Sequence, residues 1–260
     1  MQYMGGKSRI SKQIAEILNS AIDKDTPFVS LFCGSCAIES KVQADVKILN
    51  DKHPYLIAMW QELQNGWMPP DVVTKEEYYR VKANMDENPA LTGFVGFGCS
   101  FGGKWWGGYA KDKRGDDYYG QAKRGLLRNY AGNAKSTLAK DKRGDDYCGQ
   151  AKRGLLKDLP GVQSATFTCL DYHDVEISDG AVVYCDPPYA NTTGYTVGQF
   201  DTDEFWDYMR QISKRCDVYI SEESAPDDFE CIWSKEKVRT LEKNDNVGRV
   251  KVEKLFKYKG

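Results

Sequence analysis

The chain has 260 residues, enough for one large domain or for a core domain that carries an insertion. Apolar residues make up 41% and charged residues 28%, the mixture of an ordinary globular protein, and no apolar run approaches the length of a membrane span. The net charge of −2 conceals an asymmetry: residues 101–157 hold 14 Lys and Arg against 6 Asp, a local charge of +8, so the remainder is strongly acidic. A concentrated basic segment suits a polyanion, with a solvated helical face as the plain alternative.

In chain order, residues 11–21 read as a helix with Ile10, Ile14, Ile17, Leu18 and Ala21 on one face. Residues 28–32 form a buried strand, Cys33-Gly34-Ser35-Cys36 a turn of small residues, and residues 37–44 a short helix. A second strand, 46–49, ends at Asn50-Asp51. Strand, turn, helix and strand in this order are the first half of a parallel α/β sheet. After Met68-Pro69-Pro70 the pattern turns helical, including residues 75–85, and then becomes aromatic and glycine-rich from 93 to 109. Strands resume at 166–170 and 181–185, a helix covers 203–214, and a strand covers 217–221. The tail from 237 to 259 alternates as a hairpin around Asn244-Asp245-Asn246. The predicted organisation is a discontinuous α/β core domain, 1–60 and 161–260, with a helical insertion over 61–160.

The insertion contains a duplication. Residues 110–127 recur as 139–156 with one change, Tyr119 becoming Cys148, and a shorter echo lies at 130–135. Each copy can start a helix after a Gly-Asp-Asp cap. Three units are too few for a solenoid, so the repeat is either a tolerated surface duplication or a doubled DNA contact. The chain begins with no apolar leader core, and with it come the expectations of a cytoplasmic protein and of eight reduced cysteines. Cys33-x-x-Cys36 has no second ligand pair, which leaves it as small buried residues around a turn.

The strongest chemical signal is Asp186-Pro187-Pro188-Tyr189, directly after the strand 181–185. Open α/β sheets bind ligands at such strand ends. An exocyclic amino nitrogen is a poor nucleophile because its lone pair is delocalised into the ring. A carboxylate at Asp186 can accept one of its N–H groups and the Pro187 carbonyl the other, favouring the pyramidal nitrogen that attacks a methyl donor. Pro187 and Pro188 stiffen the loop, and Tyr189 offers a flat face for an extruded base.

At this point the chain resembles a known family. Asp-Pro-Pro-Tyr resembles the catalytic motif of amino-methyltransferases, in its adenine-N6 form. Tyr3-Met4-Gly5-Gly6-Lys7 resembles the opening of the Dam-like adenine methyltransferases, residues 28–38 their F-x-G-x-G loop, and Asp51 their next acidic residue. Leu170-Asp171-Tyr172 resembles their segment before the catalytic motif. Residues 101–109 resemble the insertion of phage-encoded members, and the motif order is that of the alpha class. Cys36 stands where the family has its second glycine, and Tyr3 where cellular members often have Trp.

The resemblance implies a Rossmann-like α/β methyltransferase with a mixed sheet and a helical target-recognition insertion. It implies S-adenosylmethionine as cosubstrate, double-stranded DNA as partner, a bacterial host cytoplasm, and site-specific methylation of adenine N6 by base flipping. Asp186, Pro187, Pro188 and Tyr189 would be catalytic. Tyr3, Lys7, Phe32, Gly34, Asp51, Asp171, Tyr172 and Asp186 would line the cofactor site, Asp51 at the ribose, Asp171 at the adenine, and Lys7 pairing with the methionine carboxylate or with Asp186. Lys104, Trp105, Lys123, Arg124, Lys152 and Arg153 would meet DNA. No metal is expected, because a methyl leaving a sulfonium needs no strong base. The alternatives are the same chemistry on cytosine N4, RNA or a protein amide, and a catalytically silent DNA-binding or antirestriction protein.

Overall fold

The computed structural model describes residues 1, 3–110, 147–188, 200–238 and 250–260. Five strands run parallel: β1 (Phe28–Ser30), β2 (Lys47–Asn50), β3 (Thr166–Thr168), β4 (Val182–Cys185) and β5 (Asp217–Glu222). The hairpin of β6 (Phe229–Val238) and β7 (Val250–Tyr258) closes one edge, with β7 antiparallel to β5. The order β3-β2-β1-β4-β5-β7-β6 is a mixed, doubly wound sheet, the Rossmann-like methyltransferase architecture expected from the sequence.

β1 and β4 are buried along their whole length, as their unbroken apolar runs require of central parallel strands. Strand order reverses between them, and open α/β sheets bind ligands beyond the C-terminal ends of the strands at such a switch point. Their register is Ser30↔Tyr184, and Leu31 N–H donates to the Tyr184 carbonyl at 3.1 Å. The loop after β1 and the loop carrying Asp186 therefore leave the sheet at one level.

Helix α1 (Ser11–Ser20) buries Ile14 and Leu18 of the expected face, with Ile10 just before it and Ala15 beside them, while Ile17 and Ala21 are half-buried. Two local expectations change. The helix expected at 37–44 shrinks to one 3-10 turn, Glu39–Lys41. The buried Glu39 carboxylate folds back onto the Ile38 N–H, and Val42 is already extended. The terminal hairpin starts at Phe229, eight residues earlier than its pattern suggests, because a bulge between Cys231 and Trp233 breaks the alternation. Its expected turn at Asn244-Asp245-Asn246 lies outside the described residues.

The chain divides into two compact units. One comprises Lys7–His53 and Gly161–Gly260 and holds the sheet; the other comprises Met1–Gly6 and Pro54–Pro160. The second unit contains α2 (Pro54–Gln64), α3 (Lys75–Ala83), α4 (Pro89–Gly93), a π turn (Phe94–Gly98) and α5 (Tyr147–Asp158). Residues 1–6 and 54–60 thus group with the helices rather than with the sheet. Sequence reading did not find α2. Its buried Leu56, Met59, Trp60 and Leu63 stand at i, i+3, i+4 and i+7 on one face, with Ile57 at the edge of that face. In the sheet unit, α6 (Thr202–Ile212) is capped by Asp201, which accepts from the Asp203 and Glu204 amides. It packs Phe205, Trp206, Met209 and Ile212 into the core with Val183, Val218 and Phe256. Each such side chain contributes about 1.5–3 kcal/mol when fully buried.

Helix α5 belongs to the second copy of the repeat and buries Cys148, Ala151 and Leu155. Cys148 is joined to Cys99, so the expectation of reduced thiols throughout is corrected at this pair. The first copy and the shorter echo lie outside the described residues.

Candidate active site

The loop after β1 turns twice through left-handed backbone, at Gly34 (φ 48°) and Cys36 (φ 52°). Glycine takes that conformation freely, whereas Cys36, fully buried, holds it against a strain of about 1–3 kcal/mol. The family's second glycine thus stands at a position whose backbone favours it. Asp51, following β2, fixes the loop: one carboxylate oxygen accepts from Gly34 N–H at 3.0 Å, the other from His53 N–H at 2.9 Å. Desolvation pushes Asp51 up to about 6, although both amides pull it down.

Asn50, which no motif singled out, ties three strand ends together. Its amide donates to the Leu31 and Leu170 carbonyls, and its oxygen accepts from the Thr168 hydroxyl and the Leu170 amide. Asp171 caps the following turn through His173 N–H and pairs with Lys52 at 2.7 Å. Burial alone would raise Asp171, but the hydrogen bonds from Lys52 and His173 hold it below its ordinary value. The Tyr172 ring lies 5.3 Å from Phe32, within an aromatic group that includes Phe200 and Phe205.

Asp186 leaves the end of β4 with Pro187 buried behind it. Lys7 is almost wholly buried, and its ammonium donates to Asp186 Oδ1 at 2.8 Å and lies 3.4 Å from Glu253. Two buried acids escaped the sequence reading, Glu253 and Glu39. Glu39 accepts from the Ser30 hydroxyl at 2.9 Å and from the Ile38 amide. Desolvation, reinforced by Asp186, pushes it up to about 7. A charged residue just after a turn of small residues was the only available signal for Glu39. For Glu253, a lone acid among the lysines of the last strand gave none.

The structure thus gathers Lys7 with Asp186, Phe32 with Tyr172, and Gly34 with Asp51 in one unit, with Asp171 after the neighbouring β3. Tyr3 belongs to the helical unit, where its ring lies 5.1 Å from Phe97. Among the expected DNA contacts, Lys104 and Arg153 are exposed. Lys152 is mostly covered and pairs with Asp71 at 2.6 Å. Trp105 stacks on Tyr55 at 5.7 Å and lies against Gly96, so its ring packs within its own unit. Tyr189, Lys123 and Arg124 lie outside the described residues.

The sequence profile of the D12 class N6 adenine-specific DNA methyltransferases matches residues 3–91 and 150–249. The chain belongs to this family. As a D12 class enzyme it transfers methyl groups to adenine in DNA. Two solved structures also align with it. A conserved hypothetical protein of Streptococcus pyogenes has 9% identity and a TM-score of 0.35, over 95% of this chain and 94% of that one. A protein assigned as a methyltransferase and crystallised with SAH has 12% identity and a TM-score of 0.35, over 98% of this chain and 54% of that one. No curated protein matches the chain. The two segments matched by the D12 class profile contain Tyr3, Lys7, Phe32, Gly34, Asp51, Asp171, Tyr172 and Asp186-Pro187-Pro188-Tyr189. The unmatched interval, 92–149, holds Lys104, Trp105 and the whole first copy of the repeat.

Proposed function

We propose that this D12 class enzyme is a Dam-like, alpha-class methyltransferase of the phage type, which takes methyl from S-adenosylmethionine. Its substrate is one sequence context in double-stranded DNA, from which the target adenine is turned out of the stack. It acts in the cytoplasm of a bacterial host. The observation that carries this reading is Asp186, set at the C-terminal end of β4 beside the switch point and tied down by a buried ammonium.

The residues present fit the cosubstrate. Asp51 is half-buried, and its carboxylate keeps lone pairs for ribose hydroxyls beyond the two backbone amides that it accepts. Phe32 and Tyr172 supply flat apolar faces, and Asp171 an acceptor for an exocyclic amine. When bound, S-adenosylmethionine supplies an electrophilic sulfonium methyl. The chain's own part is to orient the nucleophile. Asp186, held at Oδ1 by Lys7, accepts one N–H of the adenine amino group, while the Pro187 carbonyl takes the other. Lys7 accordingly serves Asp186 rather than the methionine carboxylate.

The test is expression in a host that lacks adenine methylation, followed by sequencing of its DNA for N6-methyladenine. Modified adenines in one context are expected, and none with Asp186→Ala. Modification without context would remove the site specificity. Its absence with a folded wild-type protein would overturn the reading.

A further inference from the structure

Beyond β3, His173 stands between the turn that carries Asp171 and the first turn of α6. Its ring centre lies 3.9 Å from that of Tyr172 and 4.8 Å from that of Tyr208, so two aromatic neighbours fix the imidazole. In that setting Nδ1 is 3.0 Å from Asp171 Oδ1, and Nε2 is 3.8 Å from Glu204 Oε1. The Asp171 carboxyl is held below its ordinary value, so it is ionised and can only accept. His173 Nδ1 therefore carries the proton. Asp171 Oδ1 also accepts from the His173 amide at 3.2 Å, and Oδ2 accepts from Lys52 at 2.7 Å. A carboxylate offers about four lone-pair sites, and among the described residues these three bonds leave one, on Oδ2. The backbone bond is enough to cap the turn. Of the two side chains, Lys52 is exposed on a flexible stem, whereas the imidazole is packed between rings.

We propose that His173 is a positioning residue for the cosubstrate: its Nδ1–H fixes the Asp171 carboxylate so that the remaining lone pair of Oδ2 faces the exocyclic amine of the S-adenosylmethionine adenine. This rests on the cosubstrate role given to Asp171 above. An acceptor already held in one orientation loses less freedom when the ligand arrives, so it binds more tightly than a carboxylate free to turn. Without the imidazole, Asp171 keeps the turn amide and the loose lysine, and its open lone pair is no longer aimed.

The test is calorimetry with S-adenosylhomocysteine on the wild type and three variants. His173→Ala keeps the backbone amide and with it the capped turn. It should weaken binding about 3- to 10-fold, the scale of one ordinary hydrogen bond. KM for S-adenosylmethionine should rise by a similar factor, while the single-turnover rate at saturating cosubstrate stays near wild type. His173→Asn puts an amide N–H close to the place of Nδ1 and should recover most of the affinity. His173→Gln puts its amide close to the place of Nε2 and should not. Full affinity in His173→Ala, or an equal loss in the Asn and Gln variants, overturns this proposal alone. A wild type that binds no S-adenosylhomocysteine overturns the cosubstrate reading and this proposal with it. NMR of the imidazole nitrogens in the wild-type protein needs no variant to fold. Neutral His173 should carry its proton on Nδ1, and a proton on Nε2 instead overturns the proposal.

Discussion

In the sheet unit Lys7, Glu39, Lys47 and Glu253 are buried, whereas the buried polar side chains described in the helical unit are the neutral Thr92 and Ser100. The helical unit instead buries aromatic surface: Trp60, Tyr78 and Phe94 are fully covered, and Trp105 and Trp106 pack at a tilt, their ring centres 5.1 Å apart. Burying a charge costs far more than burying a ring, so a fold selected only for stability would place its charges outside. One unit is thus built to hold ionised groups at fixed places, the other to be a stable support. The contrast supports the proposal that the sheet unit carries the chemistry, and each variant below bears on one side of it.

The largest effect is expected at Asp186. Asp186→Ala removes an acceptor aimed at the reacting nitrogen and should lower turnover by about 10²–10³-fold. The dissociation constant of S-adenosylmethionine should change far less. Near-normal turnover in the folded variant would mean that the charged cluster is not the reaction centre.

Next is Asp51→Ala. Losing charge-assisted hydrogen bonds of about 1.5–3 kcal/mol should weaken S-adenosylmethionine binding about 10- to 100-fold by calorimetry. Raised to about 6, Asp51 should also give wild-type affinity a pH dependence. The ionised acceptor is present above that value, so affinity should fall as pH drops through 6, and the alanine variant should lose this dependence. An unchanged constant would leave Asp51 as a brace for the Gly34 turn alone.

Glu39→Gln tests the cost of buried charge directly. The carboxyl is raised from 4.5 to about 7, so its contribution to stability is full below about 4.5 and is lost as pH rises through 7. The variant should therefore melt above wild type at pH 8, by on the order of 2 kcal/mol once imperfect replacement of the Ser30 hydrogen bond is discounted. The two curves should converge by pH 5. A gap independent of pH would show that ionisation of Glu39 is not what the fold opposes.

The same contrast explains how much was legible beforehand. β1, β4, α1 and α6 followed from apolar runs and periodicity, and Asp186 from a motif whose spacing is local in the chain. Lys7, Asp51 and Asp171 were found only because their motifs resemble a family's, since nothing local marks them as charged groups with fixed partners. Glu253 stayed hidden because its meaning depends on β7 lying antiparallel beside β5, a pairing that no local pattern encodes. Trp105 looked like a DNA contact beside a basic run. The small side of Gly96, which admits its ring, can be recognised only once both are placed.

The smallest effect is expected from shortening the helical unit. The two copies of the repeat are identical except at Tyr119 and Cys148, so composition could not say which one the fold uses. The described part of the second copy is packed: Cys148 sits against Cys99, and Ala151 and Leu155 are buried; the first copy beyond Ala110 lies outside the described residues. The family profile also resumes at residue 150, inside that copy. Deleting residues 110–138 joins Tyr109 to Ala139, which repeats Ala110. The bond from Ala110 N–H to the Cys99 carbonyl and the Tyr109 hydroxyl bond to Val73 can then both be kept. The melting temperature should therefore stay within about 2 °C of wild type, a change smaller than 1 kcal/mol would cause. The deleted stretch carries seven Lys and Arg against three Asp, so DNA binding is where a difference would show. If the first copy touches phosphates, the slope of log affinity against log salt should flatten by about 0.9 for each phosphate that the shortened chain no longer neutralises. An unchanged slope would make the duplication neutral, and a deletion that fails to fold would show that the first copy has become part of the support itself.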